Sequence, residues 1–433
     1  MLQHLLQKDL LKEMDYQIYF SKEDLVSFAN ASEQECLGIY YELEGENVVH
    51  LHSRPLKHSF GKTGVCLYTK DIVQDIKIDK DCQFIVCVNK DNNDINVKTF
   101  VYANAKYIEV EHHIIPGKED LYSRSKGLLE TDSLSQKHVT IVGLGSFGSQ
   151  IAIELSKAGI GEFSLFDFDR VELHNIGRHT CTIKDLGRFK TDAIEEAIFG
   201  KNPYAKVNKY TVNIVENRSL LESVVQKSDL LICATDNNNS RFLISAVLHK
   251  YQKKGIFGRA ITRAAGGDVF RYRPGGPCYS CLVGSQIFNA NDEEVSSVEA
   301  GRRSGLIPAY ASSNEISAMV QVGLSIDIEP ICNFMLKLSL IELSKGTTSG
   351  ISSLEEDLQY DAYIWANRRD RNFSHWHAFY KSGAKQTILR WYGINIPKDE
   401  NCPICSDTPK LDMGLKYGVN LNNDFTGVTI NLD

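Results

Sequence analysis

From residue 139 onward the apolar positions switch period again and again. Val139–Val142 is a short β-branched run, Ser149–Ala158 has helical spacing, and Phe163–Phe168 reads as a strand once more. Lys190–Phe199 and Arg241–Tyr251 repeat the helical spacing, and Val207–Val212 and Leu230–Ala234 repeat the strand pattern. Strands alternating with helices predict βαβ units and a parallel sheet. A long helical stretch follows at Ile316–Leu343. Before residue 120 the pattern is different. Leu5–Met14 and Lys22–Ala29 have helix-like spacing. Six short strand-like runs come after them: Cys36–Tyr41, Val48–His52, Val65–Tyr68, Phe84–Val88, Val97–Tyr102 and Tyr107–Val110. Asp91-Asn92-Asn93-Asp94 reads as a hairpin turn. This part predicts a small α+β domain with an antiparallel sheet. The polar, turn-rich Pro116–Asp120 marks the boundary, giving domains 1–120 and 121–433.

Composition narrows the function. The 433 residues are 42% hydrophobic and 24% charged, ordinary for a soluble protein with sizeable cores. Asp plus Glu outnumber Lys plus Arg by 55 to 48, and the net charge of -7 argues against a dedicated nucleic-acid binder. No run of 18 apolar residues occurs, and charges interrupt the first fifteen residues. The expectation is a soluble, cytoplasmic protein without a membrane partner.

Gly143-x-Gly145-x-x-Gly148 lies between a strand and a helix, the context this motif requires. The first glycine permits a tight turn, the second lets the backbone approach a phosphate, and the third lets helix and strand pack closely. Asp167 follows at the end of the next strand and can accept hydrogen bonds from ribose hydroxyls. Taken alone, the motif fits NAD as well as ATP. The residues after it separate the two. Asp169, Asn175 and Arg178 come just past that strand, Lys190 opens a helix, and Asp236 sits in Ala234-Thr235-Asp236-Asn237 at a later strand end. Arg and Lys offset the charge of a triphosphate, and an Asp holds Mg²⁺.

With GLGSFG at 143–148, DFDRVELHNIGRH at 167–179, GRFK at 187–190 and ATDN at 234–237, the chain resembles the ThiF/MoeB/HesA superfamily. This is the adenylating fold shared with ubiquitin-activating enzymes. The resemblance covers roughly residues 121–343 and the last cysteine pair. It implies an α/β, Rossmann-like adenylation domain with a mixed, mainly parallel sheet, working as a homodimer. It implies ATP-dependent adenylation of the C-terminal glycine of a ubiquitin-like or sulfur-carrier protein, with a conjugating enzyme as a further partner. A bacterial ubiquitin-like conjugation system, defence-related, would be one setting. Adenylation of a short peptide, as in microcin-type biosynthesis, is the alternative within the fold, and an NAD-dependent oxidoreductase is the rival outside it. By motif, Gly143, Gly145, Gly148, Asp167, Asp169 and Asn175 would bind the nucleotide. Arg178 and Lys190 would stabilise charge on the phosphates and Asp236 would act with Mg²⁺. Arg124, in Tyr122-Ser123-Arg124, would reach the γ-phosphate region from the partner subunit.

Of the 11 cysteines, four form two Cys-x-x-Cys pairs: Cys278/Cys281 and Cys402/Cys405. Two such knuckles can close a tetrahedral Cys₄ site with no open position, so a structural Zn²⁺ is expected. Many members of the family carry such a site at matching positions. Ubiquitin-activating enzymes and many relatives pass the acyl group to a cysteine in the loop after the first pair. Here that loop, Leu282–Arg303, contains none. Either the reaction stops at the acyl-adenylate or another thiol serves, and Cys181 and Cys332 read as core residues. In the first domain, His50 and His52 alternate on one strand face. The cations and aromatics at 365–371 and 376–380 read as packing against the nucleotide domain or a substrate tail.

Overall fold

The structure is a computed structural model. It describes residues 16–43, 45–55, 61–70, 82–91, 94–103, 105–115, 117–261, 264, 266–285, 323–367 and 388–406. The chain divides into two compact units, Met1–Arg124 and Ser125–Asp433.

In the first unit, β1 (Gln17–Ser21) runs directly into helix α1 (Lys22–Asn30). The Ser21 hydroxyl caps the helix by accepting the Asp24 N–H at 3.0 Å. Leu25 and Phe28, three residues apart, are the buried side of α1. Seven further strands follow: β2 (Glu35–Leu43), β3 (Val48–His52), β4 (Lys62–Thr69), β5 (Phe84–Asp91), β6 (Asp94–Ala103), β7 (Lys106–Val110) and β8 (His112–Ile115). Their order in the sheet is β7-β6-β5-β4-β2-β3-β1-β8. The expected antiparallel sheet is corrected to a mixed one. Strand β1 runs parallel to both β3 and β8, and β4 runs parallel to β5. Alternation of side chains reports which face is buried and is silent on the direction of the neighbouring strand. The two edge strands, β7 and β8, are separated in the chain by Glu111 alone. Edges joined so closely force the sheet to roll into a nearly closed barrel. Thr99 Oγ1 on β6 lies 3.3 Å from His112 Nδ1 on β8, across that closure. Ile18, Phe20, Val49, Leu51, Tyr68, Phe84 and Val86 fill the interior. The helix read at Leu5–Met14 lies outside the described residues.

The second unit carries the alternation that the sequence shows. Strands β9 (His138–Val142), β10 (Glu162–Phe166), β11 (Lys206–Tyr210), β12 (Leu230–Cys233) and β13 (Lys254–Ile261) pair in parallel in the order β11-β10-β9-β12-β13. Strands β14 (Gly266–Tyr272), β15 (Ala362–Ala366) and β16 (Arg390–Ile394) extend the sheet antiparallel. One face is covered by α2 (Ser146–Lys157), α3 (Lys190–Phe199) and α7 (Ser325–Leu343). The other is covered by α4 (Arg218–Val225), α5 (Asn238–Lys250) and α6 (Tyr279–Gly284). Both faces are therefore buried. Ile141 points to the first layer and Val142 to the second, so β9 reads as an unbroken apolar run. Among the described residues, no helix is long and apolar enough to cross a membrane.

Strand β14 is buried along its whole length although it contains Asp268 and Arg271. Arg271 is 1% exposed and lies between Glu342 of α7, at 3.5 Å, and Glu355, at 3.0 Å. Glu342 also meets Lys254 at 3.0 Å and Lys345 at 2.9 Å. Burial works against the Glu342 carboxylate, but Lys345 and Lys254 overcome it and hold its pKa below the ordinary glutamate value. A lowered folded-state pKa gives stability that is complete above the unfolded value and is lost as pH falls through the folded one. Glu342→Gln is expected to cost about 3 kcal/mol at pH 7, because it leaves Arg271 buried with one partner fewer. Urea titrations between pH 7 and pH 3 should also show a flatter acid limb for the variant than for the parent.

Candidate nucleotide site and metal centre

Val142 pairs in register with Phe166 on one side and with Cys233 on the other. Strands β9, β10 and β12 thus end level, and Gly143, Asp167 and Ala234 leave the sheet side by side. The chain goes from β9 outward to β10 and β11, then returns to place β12 on the opposite flank. A crevice opens where the order reverses, the usual ligand position in such sheets.

The three glycines of the loop have three different environments. Gly143 has φ +86°, and a Cβ there would fall 2.6 Å from the Ala234 carbonyl oxygen. A Cβ on Gly148 would fall 1.8 Å from the Gly143 oxygen. A Cβ on Gly145, at the N-cap of α2, would meet nothing within 4 Å. The outer two are therefore required by packing, and the middle one keeps the helix N-terminus open.

Asp167 ties this loop to its own strand. One carboxylate oxygen accepts the Leu144 N–H at 2.7 Å and the other accepts the Asp169 N–H at 2.8 Å. Burial raises its pKa above the usual aspartate value, with Lys190 opposing the rise. Lys190 is almost fully buried, and its ammonium lies 3.0 Å from Asp169 Oδ2. Burial alone would depress the Lys190 pKa. Asp167, Asp169 and, after them, Asp236 overcome that effect and raise it, so the ammonium stays charged. A short antiparallel bridge sets this geometry. Arg170 pairs with Phe189, its guanidinium lying 3.8 Å above the Phe189 ring, and the Lys190 N–H donates to the Asp169 oxygen at 3.0 Å.

Asp236 is exposed on the turn after β12. Asn237 caps α5 by accepting the Ser240 N–H at 2.9 Å, and Arg241 donates to the Thr235 oxygen at 2.6 Å. Both contacts fix the turn that carries Asp236. Asn175 and Arg178 sit on the turn after Asp169, both half-buried. The Asn175 side-chain oxygen accepts the Glu172 N–H at 2.9 Å, which leaves its amide nitrogen for a ligand. Arg124 is exposed on a 3-10 turn, Ser123–Ser125, that straddles the division of the two units. The structure therefore brings together Gly143, Gly145, Gly148, Asp167, Asp169 and Lys190, with Asp236 near enough to act on Lys190. Sequence reasoning singled out neither Arg241 nor His179. The His179 imidazole lies 2.6 Å from the Leu144 oxygen, a contact that sequence spacing does not reveal.

The four paired cysteines converge. Cys278 Sγ lies 3.9 Å from Cys281 and 3.4 Å from Cys402, and Cys281 lies 3.4 Å from Cys405. All four sulfurs fall within 4.8 Å of one another and all four residues are buried. Tetrahedral Zn–S bonds of about 2.3 Å imply sulfur separations of about 3.8 Å. The cluster can chelate a metal ion, and it fastens the 402–405 turn to the start of α6.

The ThiF family model matches residues 121–355. That span is more than half of the chain and contains the whole strand-end cluster. The chain belongs to the ThiF family. Among curated ThiF relatives, the molybdopterin-synthase adenylyltransferase of Escherichia coli K12 is 31% identical over 189 residues, 43% of this chain and 74% of that protein. The adenylyltransferase and sulfurtransferase MOCS3 of Drosophila virilis is 28% identical over 188 residues, 42% of this chain and 41% of that protein. A crystal structure of E. coli MccB with succinimide matches at 18% identity and a TM-score of 0.47, covering 67% of this chain and 77% of the other. Family membership makes this protein an ATP-dependent adenylyltransferase.

Two substitutions separate the roles of the ThiF loop glycines. Gly145→Ala should fold with a melting temperature near the parent's and lose ATP affinity, measured by calorimetry. Gly148→Ala should lower the melting temperature by an amount equivalent to about 1–3 kcal/mol, because backbone has to move. At the metal centre, Cys402→Ser should abolish stoichiometric metal by elemental analysis and destabilise the 388–406 segment.

Proposed function

We propose that the enzyme uses ATP to adenylate the C-terminal carboxylate of a short peptide and releases the acyl-adenylate to an external nucleophile. Membership of the ThiF family and the cluster of Asp167, Asp169 and Lys190 at the strand ends support adenylation. The cysteines support the external nucleophile. Four form the metal cluster, and the other seven are buried or half-buried. The two earlier candidates for a relay thiol, Cys181 and Cys332, both lie in the core, and burial pushes each thiol up to about 12. A thiol is a poor nucleophile in that state. The loop in which relatives carry the relay cysteine contains none, and most of it lies outside the described residues.

In the proposed reaction, a carboxylate oxygen attacks the α-phosphorus of ATP and forms a P–O bond. The bond from α-phosphorus to the bridging oxygen breaks, and pyrophosphate leaves with that electron pair. The carboxylate is ionised at neutral pH, so no general base takes part. Charge grows on the phosphoryl oxygens, and the Lys190 ammonium offsets it. Arg178 would hold a phosphate, and Arg124 would do so from a second copy in a homodimer. The Gly145 N–H and the N-terminus of α2 would receive a phosphate. Mg²⁺, held by Asp236, would neutralise charge on the triphosphate. The Cys₄ cluster would hold Zn²⁺, a structural ion with no open position.

A sulfur-carrier protein is the second reading, favoured by the 31% identity to molybdopterin-synthase adenylyltransferase. It needs the same adenylate and the same absence of an enzyme thioester. ATP–pyrophosphate exchange distinguishes the two when driven by a library of free-acid peptides, by the amidated library, and by a small carrier protein ending in Gly-Gly. Exchange with free acids and none with amides is expected, and exchange with the carrier alone selects the second reading. Exchange with neither would overturn adenylation of a C-terminal carboxylate. Lys190→Met should lower kcat/KM for exchange by about 100- to 1000-fold.

A further inference from the structure

Leu144, between the first two glycines of the loop, is held at both of its peptide groups. Its N–H goes to Asp167, at 2.7 Å. Its carbonyl oxygen lies 2.6 Å from Nε2 of His179, thirty-five residues further along the chain. The other ring nitrogen, Nδ1, accepts the Cys181 N–H at 3.0 Å. A backbone N–H can only donate, so Nδ1 carries no proton. The proton is therefore on Nε2, which donates to the Leu144 oxygen. Burial holds the imidazole neutral, with its pKa lowered to about 4.

This contact has a consequence on the far side of the same peptide plane. In a trans peptide the carbonyl and the following N–H point in opposite directions. Fixing the Leu144 oxygen on His179 therefore turns the Gly145 N–H away from His179. Among the described residues that N–H donates to no partner. A Cβ on Gly145 would meet nothing within 4 Å, so the space around this residue is open. We propose that His179 is a positioning residue that presets the Gly145 amide to donate to a phosphate of ATP. It acts through the Leu144–Gly145 peptide and touches no part of the nucleotide. Without it, that peptide is free to turn, and the loop has to be ordered at the cost of binding energy.

The proposal rests on the nucleotide site described above, and its test is binding, which does not require turnover. Affinities for ATP and for adenosine, which has no phosphate, are measured by calorimetry for the parent and for His179→Leu, His179→Gln and His179→Asn, with a melting temperature for each. His179→Leu should weaken ATP by about tenfold, the loss of one net hydrogen bond of ~1.4 kcal/mol. Adenosine affinity should stay within about twofold, which a general loosening of the fold would not allow. Glutamine can donate to the Leu144 oxygen and accept the Cys181 N–H, so His179→Gln should recover most of the ATP affinity. Asparagine is too short for both contacts and should behave like leucine, and it serves where the apolar variant does not fold. ATP binding unchanged in both His179→Leu and His179→Asn overturns the proposal. So does an equal loss of ATP and adenosine, or a glutamine variant as weak as the asparagine one. ATP binding in the parent without peptide-dependent exchange overturns the adenylation reading and leaves the role of His179 standing.

Discussion

The carboxylate of Asp167 bridges two strand ends, and the geometry of the nucleotide site follows from that bridge. One oxygen holds the Leu144 N–H of the β9–α2 loop and the other holds the Asp169 N–H of its own strand end. Burial makes the charge expensive, and Lys190 makes it tolerable. The lysine in turn is kept in the core by Asp167 and Asp169. Lys190 and Asp167 depend on each other there, since an unpaired buried charge costs several kcal/mol, while Asp169, 42% exposed, pairs with Lys190 from the rim. The same mutual dependence places one permanently charged ammonium at the strand ends that carry the glycine loop and its open helix N-terminus. In the proposed reaction a phosphate in the crevice would meet a fixed ammonium and ordered amides, and little would have to reorganise when charge develops.

This triad is possible because the sheet ends level. Registers Val142–Phe166 and Val142–Cys233 bring three turns to one rim. Packing on both faces keeps the strands in that register, because a slip by one residue would exchange Ile141 and Val142 between two different helical layers. The Cys₄ cluster and the buried Arg271 set do comparable work for two connecting segments. They tie the 402–405 turn and the Ser352–Glu355 turn to the sheet.

Much of the second unit was legible in the sequence, because its signals are local. The glycine spacing, the apolar run of β9 and the paired cysteines each depend on residues near one another. The strands β13 to β16 were harder. Strand β14 is buried on both faces and includes Asp268 and Arg271, so it shows neither alternation nor an apolar run. The first unit was legible as strands and illegible as a topology. Its rolled sheet depends on β1 lying between β3 and β8, and that pairing spans almost a hundred residues. The His179–Leu144 contact was hidden for the same reason: a histidine at a turn announces no partner.

The central claim is that phosphoryl chemistry at this rim occurs at the α-phosphorus of ATP. Product analysis with hydroxylamine present tests it most directly, since hydroxylamine captures an acyl-adenylate as a C-terminal hydroxamate. The account predicts AMP and pyrophosphate in equal amounts, with a hydroxamate on the peptide, and all three lost in Lys190→Met. ADP and inorganic phosphate as the products, or AMP formation that does not depend on a free C-terminal carboxylate, would contradict it.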